Sequence, residues 1–503
     1  MNLLIVESPA KAKTIAGYLR ARPEAWRVEA TGGHLEDLPK NRMGLRQQGA
    51  RIQPEWELIH GKGKIVARIA EAAQQADAVY VGADDDREGE RICHDVVRRA
   101  GISRYHRIAF AEVTASAINA AIDVGERGMH GARVGAQMTR RVIDRQIGYP
   151  MSGLIAWHFR QQRKPERPNG VGRVISPALH ILEMAEQKIN AFVPEAYSKV
   201  AVDYRHAGIQ FRLIHPTKFQ PDDEALGQLY HTLQKGRHLV YNYQRKTRDV
   251  PPFPPLTTAR LQRCAFYLFG FSPEHTMRLA QELYEGVELE SGRQGLITYP
   301  RTDSMRLSDQ ATAEIIALLS EVHEQQMVVQ HPRVWTNPER AQAAHEAIRP
   351  VSVQREFWPS NLREQLSADQ GRLYDMVFYR TLATQMADSV YDVSEIEIDV
   401  EGDRLSGHAN ELIFDGWERL DGHRADVSER QKDDERHNAD QYAKREVRLP
   451  EVGIGEEIRP IEVLTIELST KAPPRYGVGR FVTTLDNRGI GRPSTLDGIV
   501  RAL

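Results

Sequence analysis

Short apolar runs that alternate with helix-period segments constrain the first third of this 503-residue chain more than any other feature. LLIVE (Leu3–Glu7), AVYVGAD (Ala78–Asp84) and RIAF (Arg107–Phe110) read as buried strands. KAKTIAGYLRA (Lys11–Ala21), GKIVARIAEAAQQA (Gly63–Ala76), EGERICHDVVRRA (Glu88–Ala100) and TASAINAAI (Thr114–Ile122) read as helices, the last N-capped by Thr114. Such β/α alternation predicts a doubly wound domain around a mostly parallel sheet. Ligands of such sheets gather beyond the carboxyl ends of the strands. Glu7 ends one strand and Asp84 another, so both carboxylates are expected in one crevice.

Directly after the second strand come Asp84, Asp85, Asp86, Glu88 and Glu90. Taken alone, an acidic run is as well explained by a solvated helix N-terminus, which the helix dipole favours. The D-x-D-x-E spacing behind a buried strand argues for more. Crowded carboxylates raise one another's pKa unless a cation neutralises them. Oxygen-only ligands suit Mg²⁺, which binds through few carboxylates and keeps several waters. Asp84 and Asp86 are the expected ligands, with Glu88 assisting.

Far along the chain, GLITYPRTDS (Gly295–Ser304) sets Tyr299 among Arg301, Asp303 and Ser304. Most tyrosines in such runs are ordinary strand residues, but this polar, basic setting suits a phosphate. A free phenol has a pKa near ~10, so ionising it at neutral pH costs roughly 4 kcal/mol. Arg301 is the neighbouring cation expected to reduce that cost. Phenolate is also a fair leaving group, so a phosphotyrosine ester can be reversed by a sugar hydroxyl.

Between and beyond these segments the pattern changes. Gly131 to Gln187 reads as helical, broken by a basic stretch, Arg160–Arg173, able to line a phosphate groove. Val193 to Val250 reads as strands, PPFPP (Pro251–Pro255) as a stiff connector, and Thr257–Glu285 and Asp309–Gln326 as helices flanking Tyr299. SEIEIDV (Ser394–Val400) is a further strand, and the charged Asp421–Glu446 stretch a solvated loop. Cys93 and Cys264, the only cysteines, exclude a disulfide framework and a four-cysteine zinc module. A net charge of −2 means that any nucleic acid must be met by locally gathered cations. No apolar run is long enough to span a bilayer, and a cytoplasmic protein is expected.

Leu3–Ile15 with Ala83–Glu90 resembles the Toprim domain, and GLITYPRTDS resembles the active-site strand of type IA DNA topoisomerases. TGGHLEDLP (Thr31–Pro39), TRRVIDRQIGY (Thr139–Tyr149), GRVISPAL (Gly172–Leu179), AHEAIRP (Ala344–Pro350), FDGW (Phe414–Trp417) and GIGRPST (Gly489–Thr495) follow in the family's order. The last segments are closer to the bacterial topoisomerase I branch. The resemblance implies Tyr299 as the nucleophile that forms a 5′-phosphotyrosine link, and Glu7 as the acid and base for the departing 3′-oxygen. It implies Lys11 and Arg301 as cations stabilising the transition state, and Asp84, Asp86 and Glu88, with Glu7, as the Mg²⁺ carboxylates. Arg140, Arg141, Asp144, Arg173, His345, Arg492, Ser494, Thr495 and His34 match positions that hold DNA. Outside this frame, Arg140 and Asp144 are a plain i,i+4 ion pair, and His345 and Arg349 merely share a helical face.

The implied architecture is a multidomain α/β and α+β toroidal core. It comprises a doubly wound Toprim domain at 1–130, a helical DNA groove at 131–192 and 419–503, a β-rich hinge arch at 193–254 and 384–418, and a helical domain carrying the tyrosine at 255–383. The implied activity is ATP-independent relaxation of negative supercoils by a monomer acting on single-stranded segments of DNA; no G-x-x-x-x-G-K-[ST] loop is present. Two departures stand out. Ile175 replaces a glutamine common in the GRVQ segment, and the chain ends at Leu503, soon after GIGRPST, without zinc ribbons. A truncated form and a natural short form both fit, and cleavage is expected to survive better than strand passage. A Toprim nuclease or primase, or a catalytically impaired single-strand-binding remnant, are the rival readings.

Overall fold

The computed structural model describes residues 1–125, 128–162, 170–220, 223–337, 345–420 and 448–503. Its N-terminal sheet is wholly parallel, in the order β2-β1-β3-β4: β1 (Asn2–Val6), β2 (Trp26–Ala30), β3 (Val79–Gly82) and β4 (His106–Arg107). Successive side chains of a strand face opposite ways. Leu4 and Val6 accordingly pack with Ile15, Leu19 and Ile118, while Leu3 and Ile5 pack with Ile69, Cys93 and Val96. Burial on both faces is why these strands are continuous apolar runs. The covering helices are α1 (Pro9–Leu19), α2 (Gly63–Gln74), α3 (Arg87–Arg99) and α4 (Ala115–Val124). Ser8, Asp86 and Thr114 cap α1, α3 and α4, each accepting a backbone N–H. The doubly wound expectation holds.

The second sheet is antiparallel and six-stranded, in the order β7-β8-β9-β6-β5-β10. Its strands are β5 (Ala196–His206), β6 (Ile209–Ile214), β7 (Leu239–Val250), β8 (Ser389–Val400), β9 (Asp403–Phe414) and β10 (Pro460–Ser469). Two corrections follow. Residues 193–250 are not all strands, because Glu224–Lys235 forms a helix capped by Asp223, burying Leu229 and Leu233 against the sheet. Strand β10, assigned by sequence to the DNA-groove segment 419–503, instead pairs with β5. Leu449, Ile458 and Val463 share that sheet's core, so burial draws the segment there.

Helices Gly131–Gln161 and Ile175–Asn190 follow the first domain. Ala178 and Ile181 of the latter pack with Phe481, Val482, Leu485 and Ile499 of two C-terminal helices, Val478–Asn487 and Leu496–Ala502. Two distant chain segments thus share one core. Thr258–Phe269 and Pro273–Glu285 are separate helices broken at Gly270, whose φ of 73° is left-handed. Arg163, Lys164 and Arg167 of the basic stretch, the Asp421–Glu446 stretch and Ala344 lie outside the described residues. Among the described residues no helix is long and apolar enough to cross a membrane.

Candidate active site

Lys11 is the centre of the crevice. It sits in the first turn of α1, directly after the end of β1, and its side chain is fully buried. Its Nζ bridges Glu7 Oε1 and Asp84 Oδ1, joining the ends of β1 and β3 as the topology predicted. The two carboxylates diverge. Burial and the Asp84 charge push Glu7 well above the usual carboxylate range, against the pull of Lys11. Burial also opposes ionisation of Asp84, but Lys11 and hydrogen bonds from Glu7, Lys11 and Tyr284 hold it down at about 2. Burial and the shared lysine thus move the two carboxyls to opposite sides of their ordinary range.

Asp86 caps α3 through Gly89 N–H (2.7 Å), and its other oxygen, Oδ2, accepts a hydrogen bond from Tyr299 Oη at 2.8 Å. Gly89 is required for this geometry: a Cβ there would lie 2.2 Å from the Asp84 carbonyl oxygen. Glu88 pairs with His34 Nε2 at 3.2 Å. That bond, assisted by Arg301, keeps Glu88 below its ordinary pKa despite burial.

Tyr299 does not lie on a strand. Residues 295–304 form an irregular segment with bends at Thr298, Pro300 and Arg301, bonded through Tyr299 N–H to Ala111 O (2.9 Å) and through Thr298 N–H to Arg349 O (2.9 Å). The phenol ring, 5% exposed, is flanked by Tyr284 and His345, both with centroids 5.4 Å away. Burial and the charges of Asp84 and Asp86 raise its pKa well above 10, and Arg301 only partly opposes them. Arg301 does ease ionisation as expected, but burial and the two aspartates outweigh it in this arrangement. His345 bonds Asp85 O through Nε2 at 2.9 Å. It does not share a helical face with Arg349, because residues 345–350 are extended and pinned to Leu256, Thr298 and Arg306. Arg349 is held by Glu346 and Glu112.

Beside the phenol opens a cleft lined by Asp86, Glu88, Arg140, Arg301, Arg492 and Ser494, among others. A second cleft shares Arg87, Arg140 and Arg492 and adds Arg173. Burial and the neighbouring Arg173 and Arg492 push the Arg140 pKa down, against Asp144. Gathered arginines of this kind suit a phosphate backbone. Asp144 organises them, meeting Arg173 at 2.5 Å and Arg140 at 3.8 Å. Thr495 accepts from Arg492 N–H (2.9 Å), shaping the loop that presents that arginine. Arg141 is instead turned onto Asp37, with bonds of 2.7 and 2.8 Å, and ties its helix to the N-terminal domain.

Oxygen donors crowded at one crevice are the chemistry of a hard cation. Among the described residues, however, no three carboxylate, imidazole or thiolate groups converge as ligands for one ion, so the expected triad with Glu7 is not assembled. Mg²⁺ asks less, needing one or two carboxylates completed by water and phosphate. Burial and the Asp84 charge raise the Asp86 pKa, so the two carboxylates are the ones a cation at this crevice would relieve.

Two participants escaped the sequence reading. Tyr284 donates to Asp84 Oδ1 at 3.0 Å, yet in LAQELYEG it reads as an apolar helix position. Arg133 holds Asp85 from the helix that follows the first domain. Neither carries a local signal.

A DNA topoisomerase family model matches residues 130–503, and a Toprim domain model matches residues 2–113. The chain is 32% identical over 506 residues to DNA topoisomerase 1 of Helicobacter pylori, covering 98% of this chain and 64% of that one. It thus spans just under two thirds of that relative. The structure of full-length topoisomerase I from Thermotoga maritima superposes with a TM-score of 0.81 at 31% identity, over 99% of this chain and 77% of that one. Agreement of sequence, fold and motif order over nearly every residue has one reading: this chain belongs to the type IA DNA topoisomerase family, with a Toprim domain at its N-terminal end.

Proposed function

We propose that the chain cleaves one strand of DNA, lets a second strand pass and reseals the break, relaxing negative supercoils without ATP. The observation that carries this reading is the 2.8 Å bond between Tyr299 Oη and Asp86 Oδ2, which sets a phenol from one domain against the acidic crevice of another. Tyr299 Oη attacks a backbone phosphorus and forms a 5′-phosphotyrosine ester as the bond to the 3′-oxygen breaks. The phenol proton leaves along the bond to Asp86, and Glu7, whose carboxyl is raised above the usual range by burial and the Asp84 charge, supplies the proton to the departing 3′-oxygen. Religation runs the same steps backwards, so the bond energy is conserved in the ester.

Arg301 and Lys11 are the cations for the charge that develops on the phosphate; preorganised charge is commonly the largest catalytic contribution. Asp84 and Asp86, with Glu88 beside them, are the residues that would hold Mg²⁺, which when bound offsets the carboxylate charge near the phosphate. Arg140, Arg173 and Arg492, with Ser494, form the path for a single-stranded segment, and His34 and His345 flank its end at the crevice. The division into Toprim, groove, arch and tyrosine-bearing domains, a monomeric state and a cytoplasmic location belong to the same reading. Strand passage requires the Tyr299 domain to part from the crevice.

The test is relaxation of negatively supercoiled plasmid with Mg²⁺ by wild type and Tyr299→Phe. Loss of relaxation with the hydroxyl supports the proposal. Nicking that persists in the variant would favour a Toprim nuclease instead.

A further inference from the structure

Resting on that reading, we propose that Tyr284 is a positioning residue. Its hydroxyl fixes the Asp84 carboxylate, and with it Lys11, only while the helix that bears it is docked on the N-terminal domain. Tyr284 lies in the last turn of Pro273–Glu285, the helix leading towards the tyrosine segment, and is completely buried. Its Oη donates to Asp84 Oδ1 at 3.0 Å, the same oxygen that receives Lys11 Nζ. The ammonium lies 4.8 Å from the centroid of the Tyr284 ring, and the ring's other neighbour is Tyr299.

A buried tyrosine usually finds some hydrogen-bond partner, and a backbone carbonyl would serve. Here the partner is a charged carboxylate some 200 residues away in sequence, at the centre of the crevice. The docking around it joins polar contacts, in which Thr14 Oγ1 donates to Glu285 O (2.7 Å), Arg293 Nε donates to Thr14 Oγ1 (2.9 Å) and Lys13 meets Glu288 at 2.6 Å, to an apolar core that Leu283 and Val287 share with Leu4, Val6 and Ile15. When the tyrosine-bearing domain lifts for strand passage, Asp84 loses its neutral donor and Lys11 its aromatic face in the same movement. The crevice is then fully ordered only in the closed state, where both cleavage and religation occur.

The experiment is single-turnover cleavage of a 5′-labelled single-stranded oligonucleotide with Mg²⁺, beside oligonucleotide binding measured by anisotropy without Mg²⁺. Tyr284→Phe keeps the ring and removes the hydroxyl. It is expected to slow cleavage about tenfold with the dissociation constant unchanged; tenfold corresponds to about 1.4 kcal/mol. Tyr284→Met, which also lacks the hydroxyl, is expected to slow cleavage at least as much, and it carries the test should the phenylalanine variant not fold. Wild-type cleavage by Tyr284→Phe, or a loss that appears in binding alone, overturns the inference. Tyr299→Phe run in parallel separates the two claims. If it still forms the covalent adduct, the reading of the site fails; if it does not while Tyr284→Phe cleaves normally, only the positioning role fails.

Discussion

Replacing Gly89 with alanine tests whether the acidic crevice depends on close contact between α3 and the end of β3. In a helix interior this change ordinarily stabilises by about 1 kcal/mol. Here the added Cβ would meet Asp84 O at 2.2 Å and Asp84 C and N at 3.0 Å, all backbone atoms that no rotamer change can move. Overpacking of this kind costs about 1–3 kcal/mol. Shifting α3 to relieve it stretches the 2.7 Å bond from Gly89 N–H to Asp86, an N-cap worth about 1 kcal/mol. The net expectation is a loss of about 1–3 kcal/mol, read as a lower urea midpoint for the phase reporting the N-terminal domain. Asp84 and Asp86 move with the backbone, so oligonucleotide cleavage should fall by at least tenfold. A Gly89→Ala protein as stable as wild type and fully active would refute the geometric reasoning.

Arg492→Ala should weaken binding of single-stranded oligonucleotides similarly across sequences and reduce the slope of log affinity against log salt by about 1, because one phosphate contact is lost. An unchanged slope would remove Arg492 from the proposed path. In the second sheet, buried His238 accepts from Tyr204 Oη (2.7 Å) and donates to Leu233 O (2.8 Å), and burial holds its pKa below 6.5. Its folded pKa is depressed, so its contribution is complete above the unfolded value near ~6.5 and is lost as pH falls towards the folded value. Urea midpoints at pH 7.5 and 5.5 should differ less in His238→Gln than in wild type; an equal difference would contradict the assignment.

How far the sequence reading reached depended on the range of each interaction. The first domain was legible because its strands are buried on both faces and helices α1, α3 and α4 begin at capping side chains, as at Thr114. The crevice followed from topology alone, since Glu7 and Asp84 end neighbouring strands. Strand β10 was misassigned because its partner, β5, lies more than 250 residues earlier and nothing local encodes that pairing. The 345–350 segment has helical spacing, but carbonyls of Leu256 and Arg306 hold it extended. Tyr284 illustrates the same limit within the site: its role comes from the atom it touches, not from its neighbours in the chain.

The most direct measurement is to denature the enzyme during oligonucleotide cleavage and map the DNA-linked residue by mass spectrometry. One adduct is expected, on Tyr299, carrying the 5′-phosphate and leaving a free 3′-hydroxyl on the other fragment. A strand cut with no protein attached, or an adduct on any other side chain, would contradict the account.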